Sequence, residues 1–199
     1  MRKLLSLLMS GTFVLFYGGV CNADEINGTD EFDLIDYCET HDIKSRTEFQ
    51  SILELYVPQS EIENISYEYS EYEEESFEVS IDYEEQTVST ITIYSAESTR
   101  GTRSGSAVQD VYSGVGIKIY SVTVRGTFTY GSGNVSTTSA SGSFDPAALS
   151  PWTSTPTISS GKIGSKAYAR ISGTATWLGN TSSYCLTLTC DTEGNLDSY

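Results

Sequence analysis

The chain holds 199 residues, with 27 Asp and Glu against 11 Lys and Arg, four Cys and one His, for a formal charge of −16. That balance excludes a general nucleic-acid binder, which needs a basic footprint for phosphates. A lone His leaves no His-based metal cage and speaks against a His-dependent triad.

The first elements form an export signal. Arg2 and Lys3 precede the apolar run Leu4-Leu5-Ser6-Leu7-Leu8-Met9, which Phe13-Val14-Leu15-Phe16-Tyr17 continues, and Cys21-Asn22-Ala23 supplies small residues before an acidic start. This pattern predicts cleavage between Ala23 and Asp24 and a secreted, extracellular or surface-associated product. An uncleaved anchor would need a span of about 20 apolar residues, and the Gly-broken run falls short. Lipid attachment at Cys21 would want a small residue where Val20 stands. No later apolar run approaches spanning length, so no stable membrane insertion is expected after cleavage. Loss of residues 1–23, which carry Arg2 and Lys3, leaves 176 residues with a formal charge of −18. That length suits one domain, or one domain with a small appendage.

Residues 24–99 carry 22 acids against Lys44 and Arg46, a charge of −20, whereas residues 100–199 sum to +2. The break divides the mature chain into an acidic segment (24–94), a Ser/Gly/Arg linker (95–106) and a C-terminal module (107–199). Asp24 to Asp42 reads as too charged to pack. Thr47-Glu48-Phe49-Gln50 resembles a capping box; Phe49, Ile52, Leu53 and Tyr56 follow at helical spacing, and Pro58 stops the helix. The period then changes to two. Ile65, Tyr67 and Tyr69 mark one strand, Phe77, Val79, Ile81 and Tyr83 a second, Ile91 and Ile93 a third, giving a meander with one apolar and one acidic face.

The C-terminal module alternates strands and turns. Val108 to Tyr112 leads into Ile117–Tyr130, where Tyr120, Val122, Val124, Phe128 and Tyr130 share a face. Gly131-Ser132-Gly133-Asn134 turns the chain into a Ser/Thr-rich strand, Val135–Phe144, with the character of an edge. Asp145–Pro156, with three prolines and Trp152, reads as irregular, and Gly161-Lys162-Ile163-Gly164-Ser165 as a tight turn. Ala167, Ala169, Ile171, Gly173, Ala175 and Trp177 alternate, and Tyr184–Cys190 returns. The predicted class is mainly β: an antiparallel β-sandwich-like C-terminal module preceded by a short helix and an acidic β-meander.

Once the leader is gone, Cys38, Cys185 and Cys190 remain in a compartment where disulfides persist. Cys185 and Cys190 are five apart on one strand, so they face opposite sides roughly 16 Å apart. A disulfide needs Cα atoms within about 7 Å, which forbids their pairing. A bridge from Cys38 to either stays open and would staple the chain ends.

The run Ile119-Tyr120-Ser121-Val122-Thr123-Val124-Arg125-Gly126-Thr127-Phe128-Thr129-Tyr130, with Trp152, the stretch Ser159–Lys166 and Leu186-Thr187-Leu188-Thr189-Cys190, resembles small secreted proteins of Gram-positive anaerobic bacteria that have no assigned activity. The likeness covers about Gly114 to Asp191. It implies an all-β exported module and carries over no catalytic residue. It also implies a Cys after the Phe-Thr-Tyr hairpin that pairs with the late one, but here that strand, Asn134-Val135-Ser136-Thr137-Thr138, has none.

Several features bear on function. Glu61 to Glu85 packs 11 acids into 25 residues. If Tyr69 pairs with Phe77, Glu68 opposes Glu78 and the repulsion needs solvent or a cation. Without an Asp-x-Asp-x-Asp-Gly loop, a solvated face aiding solubility or docking on something basic is the reading taken. Cys38, His41, Cys185 and Cys190 have zinc-donor chemistry, but the opposite-face geometry and the oxidising compartment oppose it, so no metal or cofactor is expected. A serine nucleophile lacks its Gly-x-Ser-x-Gly elbow and a base. Asn27, Asn64, Asn134 and Asn180 begin Asn-x-Ser/Thr triplets, read as chance. Trp152, in the proline-rich segment, is the candidate ligand contact, able to stack on carbohydrate; Trp177 reads as core. The expected function is non-enzymatic binding of an extracellular macromolecule or glycan, with no nucleic-acid partner. The alternatives are a small secreted hydrolase using paired carboxylates, and a precursor cut near Arg100-Gly101-Thr102-Arg103 to release the C-terminal module.

Overall fold

Burial of the apolar side chains follows the sequence periods. The computed structural model describes residues 32–57, 73–96, 101–148 and 150–199, which fall within one compact unit. The expected strand around Ile65, Tyr67 and Tyr69, the Glu68–Glu78 pairing and the Ala23–Asp24 junction lie outside the described residues.

The chain enters through two helices. Helix α1 (Leu34–Thr40) forms where the sequence reads as too charged to pack. The Asp33 side chain caps it, accepting from the Ile35 and Asp36 N–H groups at 2.9 and 3.3 Å, and its burial of Leu34 and Ile35 outweighs the exposed acids on its other side. The Leu34 N–H donates to the Gly114 carbonyl at 2.7 Å, fixing the helix to the sheet. Helix α2 (Arg46–Tyr56) ends two residues before Pro58, as predicted, but begins earlier than the Thr47 box implies. Ser45, in extended conformation, is the cap: its Oγ accepts from the Glu48 N–H at 3.2 Å, and Glu48 reaches back to the Lys44 N–H at 3.0 Å. The reciprocal logic is right and its register is two residues off.

Strands β1 (Glu73–Asp82), β2 (Thr87–Ser95), β3 (Thr102–Ser113), β4 (Lys118–Gly131) and β5 (Asn134–Pro146) form an antiparallel sheet in chain order. Strands β6 (Thr157–Ile163), β7 (Lys166–Trp177), β8 (Asn180–Cys190) and β9 (Leu196–Ser198) form a second one. The register Ile81–Val88–Tyr112 turns Phe77, Val79 and Ile81 toward the helices, where Leu34, Phe49, Leu53 and Val57 close a small core with them, whereas Ile91 and Ile93 lie opposite Glu78 and Ser76 on the other face, so the expected meander with a single apolar face is corrected to one that is apolar on both sides of β2 and β3. The opposite face packs on the second sheet. Val122, Val124 and Phe128 of β4 meet Ala169, Ile171, Leu186 and Leu188, all essentially fully buried, and each such large side chain contributes about 1.5–3 kcal/mol. The fold is a β-sandwich with helices on one outer face.

Two expectations need correction. Within 95–106, Ser95 closes β2 and Thr102–Ser106 opens β3, with Ser95 paired to Gly105, so these described residues are strand rather than linker, and the acidic meander and the module share one sheet. Small Ser, Thr and Gly residues are tolerated there because neighbouring strands supply the apolar cover. Residues Gly161–Ile163 belong to β6, and the turn is confined to Gly164-Ser165; pairing with β7 overrides weak β propensity. Strand β9 has no counterpart among the elements expected from the sequence. Leu196 settles against Gly105, where a Cβ would collide with its side chain. Strand β5 is the edge its composition indicated, bulged at Thr138.

Candidate functional site

One end of the sandwich carries a hydroxyl-lined hollow, and an aromatic cluster packs on the inner side of the same strands. Its walls follow from one interrupted strand. Thr153 bridges Thr176 in the same antiparallel register that β6 keeps with β7, Thr157 opposite Ser172. Pro156, lacking an N–H, breaks the line between them, and Ser154–Pro156 leaves the ladder beside Thr174. The resulting hollow, about 450 Å³ and open to solvent, is lined by Thr153, Ser154, Thr155, Thr174 and Thr176. None of these side chains is charged. The hydroxyl contacts between Thr153 and Thr176 are long, 3.4 and 3.5 Å, and so readily exchanged for a ligand's.

The bridge also sets the aromatic residues beneath. Trp152 and Trp177 flank it with ring centroids 6.2 Å apart, and Trp152 lies the same distance from Tyr120, which touches Phe144 at 5.0 Å. Phe144 stacks on Tyr184 at 5.6 Å. The Tyr184 hydroxyl crosses Gly173, where a Cβ would come within 2.5 Å of it, and meets Ser154 Oγ at 2.8 Å. Burial pushes the Tyr120 hydroxyl above its usual range, partly opposed by its hydrogen bond with Ser182. Trp152 is half-buried in this cluster and supports the hollow without lining it. Trp177, expected in the core, is half-buried too. Trp152, the expected ligand contact, is not among the residues lining the hollow, and the five hydroxyl residues that do line it escaped the sequence reading; the signal for them was Pro156 inside a line of β-prone threonines.

The cysteines are dispersed. Cys38 packs in the helix-side core and Cys190 between the sheets, so the five-stranded sheet stands between them, and Cys185 is exposed on the outer face of β8. All three are free, and the open bridge from Cys38 is not made. Burial pushes both the Cys38 and Cys190 thiols up to about 11; at Cys190 the Asp191 carboxylate adds to this and Arg103 opposes it. His41 caps the end of α1, stacked on Tyr37 at 4.0 Å, remote in the fold from β8. Among the described residues no three of His, Cys, Asp and Glu converge as metal ligands.

The carboxylates Glu73, Glu74, Glu78, Glu84 and Glu85 are exposed along β1 and its turn. A second hollow, about 480 Å³, is lined by Ser80, Ile81, Asp82, Tyr83, Glu84, Ser89 and Gln109. Its Asp82 caps the turn, accepting from the Glu84 and Glu85 N–H groups at 2.9 and 3.0 Å. Asp82 and Glu84 both stand in solvent, without the dry pocket that separates an acid from a base in paired-carboxylate hydrolysis. A buried ion pair escaped the sequence reading: Lys118 Nζ lies 3.0 Å from Asp110 Oδ1, which accepts from Ser121 Oγ at 2.6 Å. Arg103 pairs with Glu75, and its Nη2 donates to Ser95 Oγ at 3.0 Å.

No protein-family model matches the chain, and neither a curated protein nor a solved structure matches it. No helix among the described residues is long and apolar enough to cross a membrane.

Proposed function

We propose that this is a secreted, non-enzymatic β-module that binds a neutral, polyhydroxylated ligand, a glycan of the cell surface or its surroundings, in the hollow between Ser154–Thr155 and Thr174–Thr176. The observation that carries the reading is the lining itself: five uncharged hydroxyl residues around a hollow open to solvent. Hydroxyl groups exchange hydrogen bonds with sugar hydroxyls at little desolvation cost, and an uncharged wall gives no preference to acidic sugars. The export signal supports the location.

A neutral and acidic glycan array probed with the mature protein tests the reading, followed by titration of Thr174→Val and Thr176→Val. Each lost hydroxyl removes about 1 kcal/mol, close to a fivefold weakening. Retention of acidic glycans alone, or affinities untouched by both variants, overturns it. Shortened sugars released from a bound glycan would instead establish hydrolysis. Intact mass of the exported product, expected to begin at Asp24, tests the location.

A further inference from the structure

The hydroxyl-lined hollow opens at one end of a longer face. Strand β7 pairs in unbroken register with β6 and β8, so its even-numbered residues share the outer side of the four-stranded sheet. Past Thr176 and Thr174, which line the hollow, come Ser172, Arg170 and Tyr168. Across the ladder, Thr157 of β6 and Cys185 of β8 flank Ser172, and Ser183 flanks Thr174. Thr157, Ser183 and Cys185 are exposed like the threonines of the hollow. The strip from Thr176 to Ser172 thus offers hydroxyl and thiol groups and no charge, on a chain whose formal charge is −16.

Beyond it the strip reaches an aromatic platform. The Tyr168 ring lies across Gly161 of β6, where a Cβ would come within 3.1 Å of a ring carbon and 3.2 Å of the hydroxyl. The ring settles this close to the sheet because that position is glycine. Arg170 is held from two directions. Its Nε donates to Oγ1 of the buried Thr187 at 2.9 Å, and its guanidinium carbon lies 5.1 Å from the centre of the Tyr168 ring. Both side chains are half-buried, so little freedom is left for a ligand to remove. A ring with an apolar face and a guanidinium fork are the groups that meet the apolar face and the hydroxyls of a pyranose.

The separation selects the ligand. Tyr168 is eight residues from Thr176, roughly 26 Å at strand rise, beyond the reach of a disaccharide seated in the hollow. A chain that touches both places must be unbranched and straight. β-1,4-linked pyranoses form such a ribbon, with hydroxyls along its edges and apolar ring faces between them, whereas α-1,4-linked chains coil away from a straight strip.

We propose that the outer face of β7, from the hollow to Tyr168 and Arg170, binds a neutral, extended β-1,4-linked glycan chain, with Tyr168 stacking on one sugar ring and Arg170 donating to its hydroxyls. The proposal rests on the reading of the hollow as a neutral-glycan site and adds chain length and linkage to it.

The test is calorimetric titration of the mature protein with cellohexaose, chitohexaose, their disaccharides and maltohexaose. One β-1,4-linked hexasaccharide is expected to bind at least about tenfold more tightly than its disaccharide and than maltohexaose. Tyr168→Ala should weaken the hexasaccharide about tenfold and leave the disaccharide within about twofold. Arg170→Lys, which keeps the charge and loses the fork, should weaken the hexasaccharide about fivefold. Should Tyr168→Ala fail to fold, a bulky maleimide adduct on Cys185, midway along the strip, supplies a second measurement and should weaken the hexasaccharide at least about tenfold. The proposal is overturned if neither β-1,4-linked hexasaccharide binds at about 1 mM, if chain length or linkage makes no difference, or if Tyr168→Ala or the adduct leaves hexasaccharide affinity unchanged. In each of these cases a glycan still weakened by Thr174→Val and Thr176→Val would keep the hollow as a site, so the two readings fail separately.

Discussion

Replacing Asp110 by Ala is the sharpest test of the packing. Lys118 and Asp110 lie side by side on β4 and β3 with only 6% and 5% of their side chains exposed and 3.0 Å between Nζ and Oδ1. Removing the carboxylate strands an ammonium in the interior and takes the acceptor from Ser121, whose hydroxyl lies 2.6 Å away. Breaking a buried pair from one side costs about 3–5 kcal/mol. For a chain of this size that corresponds to a Tm lower by roughly 6–20 °C. Ser121→Ala, which removes one hydrogen bond, should cost only about 1 kcal/mol. The double replacement Asp110→Leu with Lys118→Met takes out both charges and should recover most of the loss, because their joint desolvation disappears with them. Thermal and urea unfolding followed by circular dichroism supply the numbers. A loss below about 1 kcal/mol for Asp110→Ala, or a double variant as unstable as the single one, would refute a buried ion pair at this place.

Three further outcomes are expected. In protein lacking residues 1–23, a maleimide at neutral pH should label one thiol, Cys185, quickly, with Cys38 and Cys190 reacting only on unfolding; rapid labelling of either would contradict their burial and raised pKa. Proteolytic nicking between Ala96 and Gly101 should leave two fragments that co-elute until denatured, because β2 and β3 stay paired from Thr87–Ser113 to Ser95–Gly105; a free C-terminal fragment in native buffer would contradict this and favour the precursor reading. Burial pushes the Asp191 carboxyl up, but hydrogen bonds from Asn195, Glu193 and Gly194 outweigh it and hold it below the usual carboxylate range. A folded pKa below the unfolded one stabilises above the unfolded value, and that share is lost as pH falls through the folded value, so the Asp191–Asn195 turn should loosen only below about pH 4, and Asp191→Asn should remove that dependence. Exchange at the Glu193 and Asn195 amides against pH reads it.

Period-two alternation carried most of the fold. Tyr120, Val122, Val124 and Phe128 are buried together as their spacing required, and Cys185 and Cys190 do face opposite sides. What escaped depended on partners distant in sequence. Composition alone makes Ser95–Ser106 look like a connection, yet Gly105 is small because Leu196 lies against it, some ninety residues on. The buried pair of Asp110 and Lys118 leaves no mark in the sequence, because nothing local says that the fold brings those two charges together in its interior. The hollow was half legible: aromatic chemistry drew attention to Trp152, but the hydroxyl wall exists only because Thr153 meets Thr176 across a break at Pro156. The thiol bridge left open at Cys38 failed for the complementary reason, since one-dimensional spacing cannot show that a sheet lies between two cysteines.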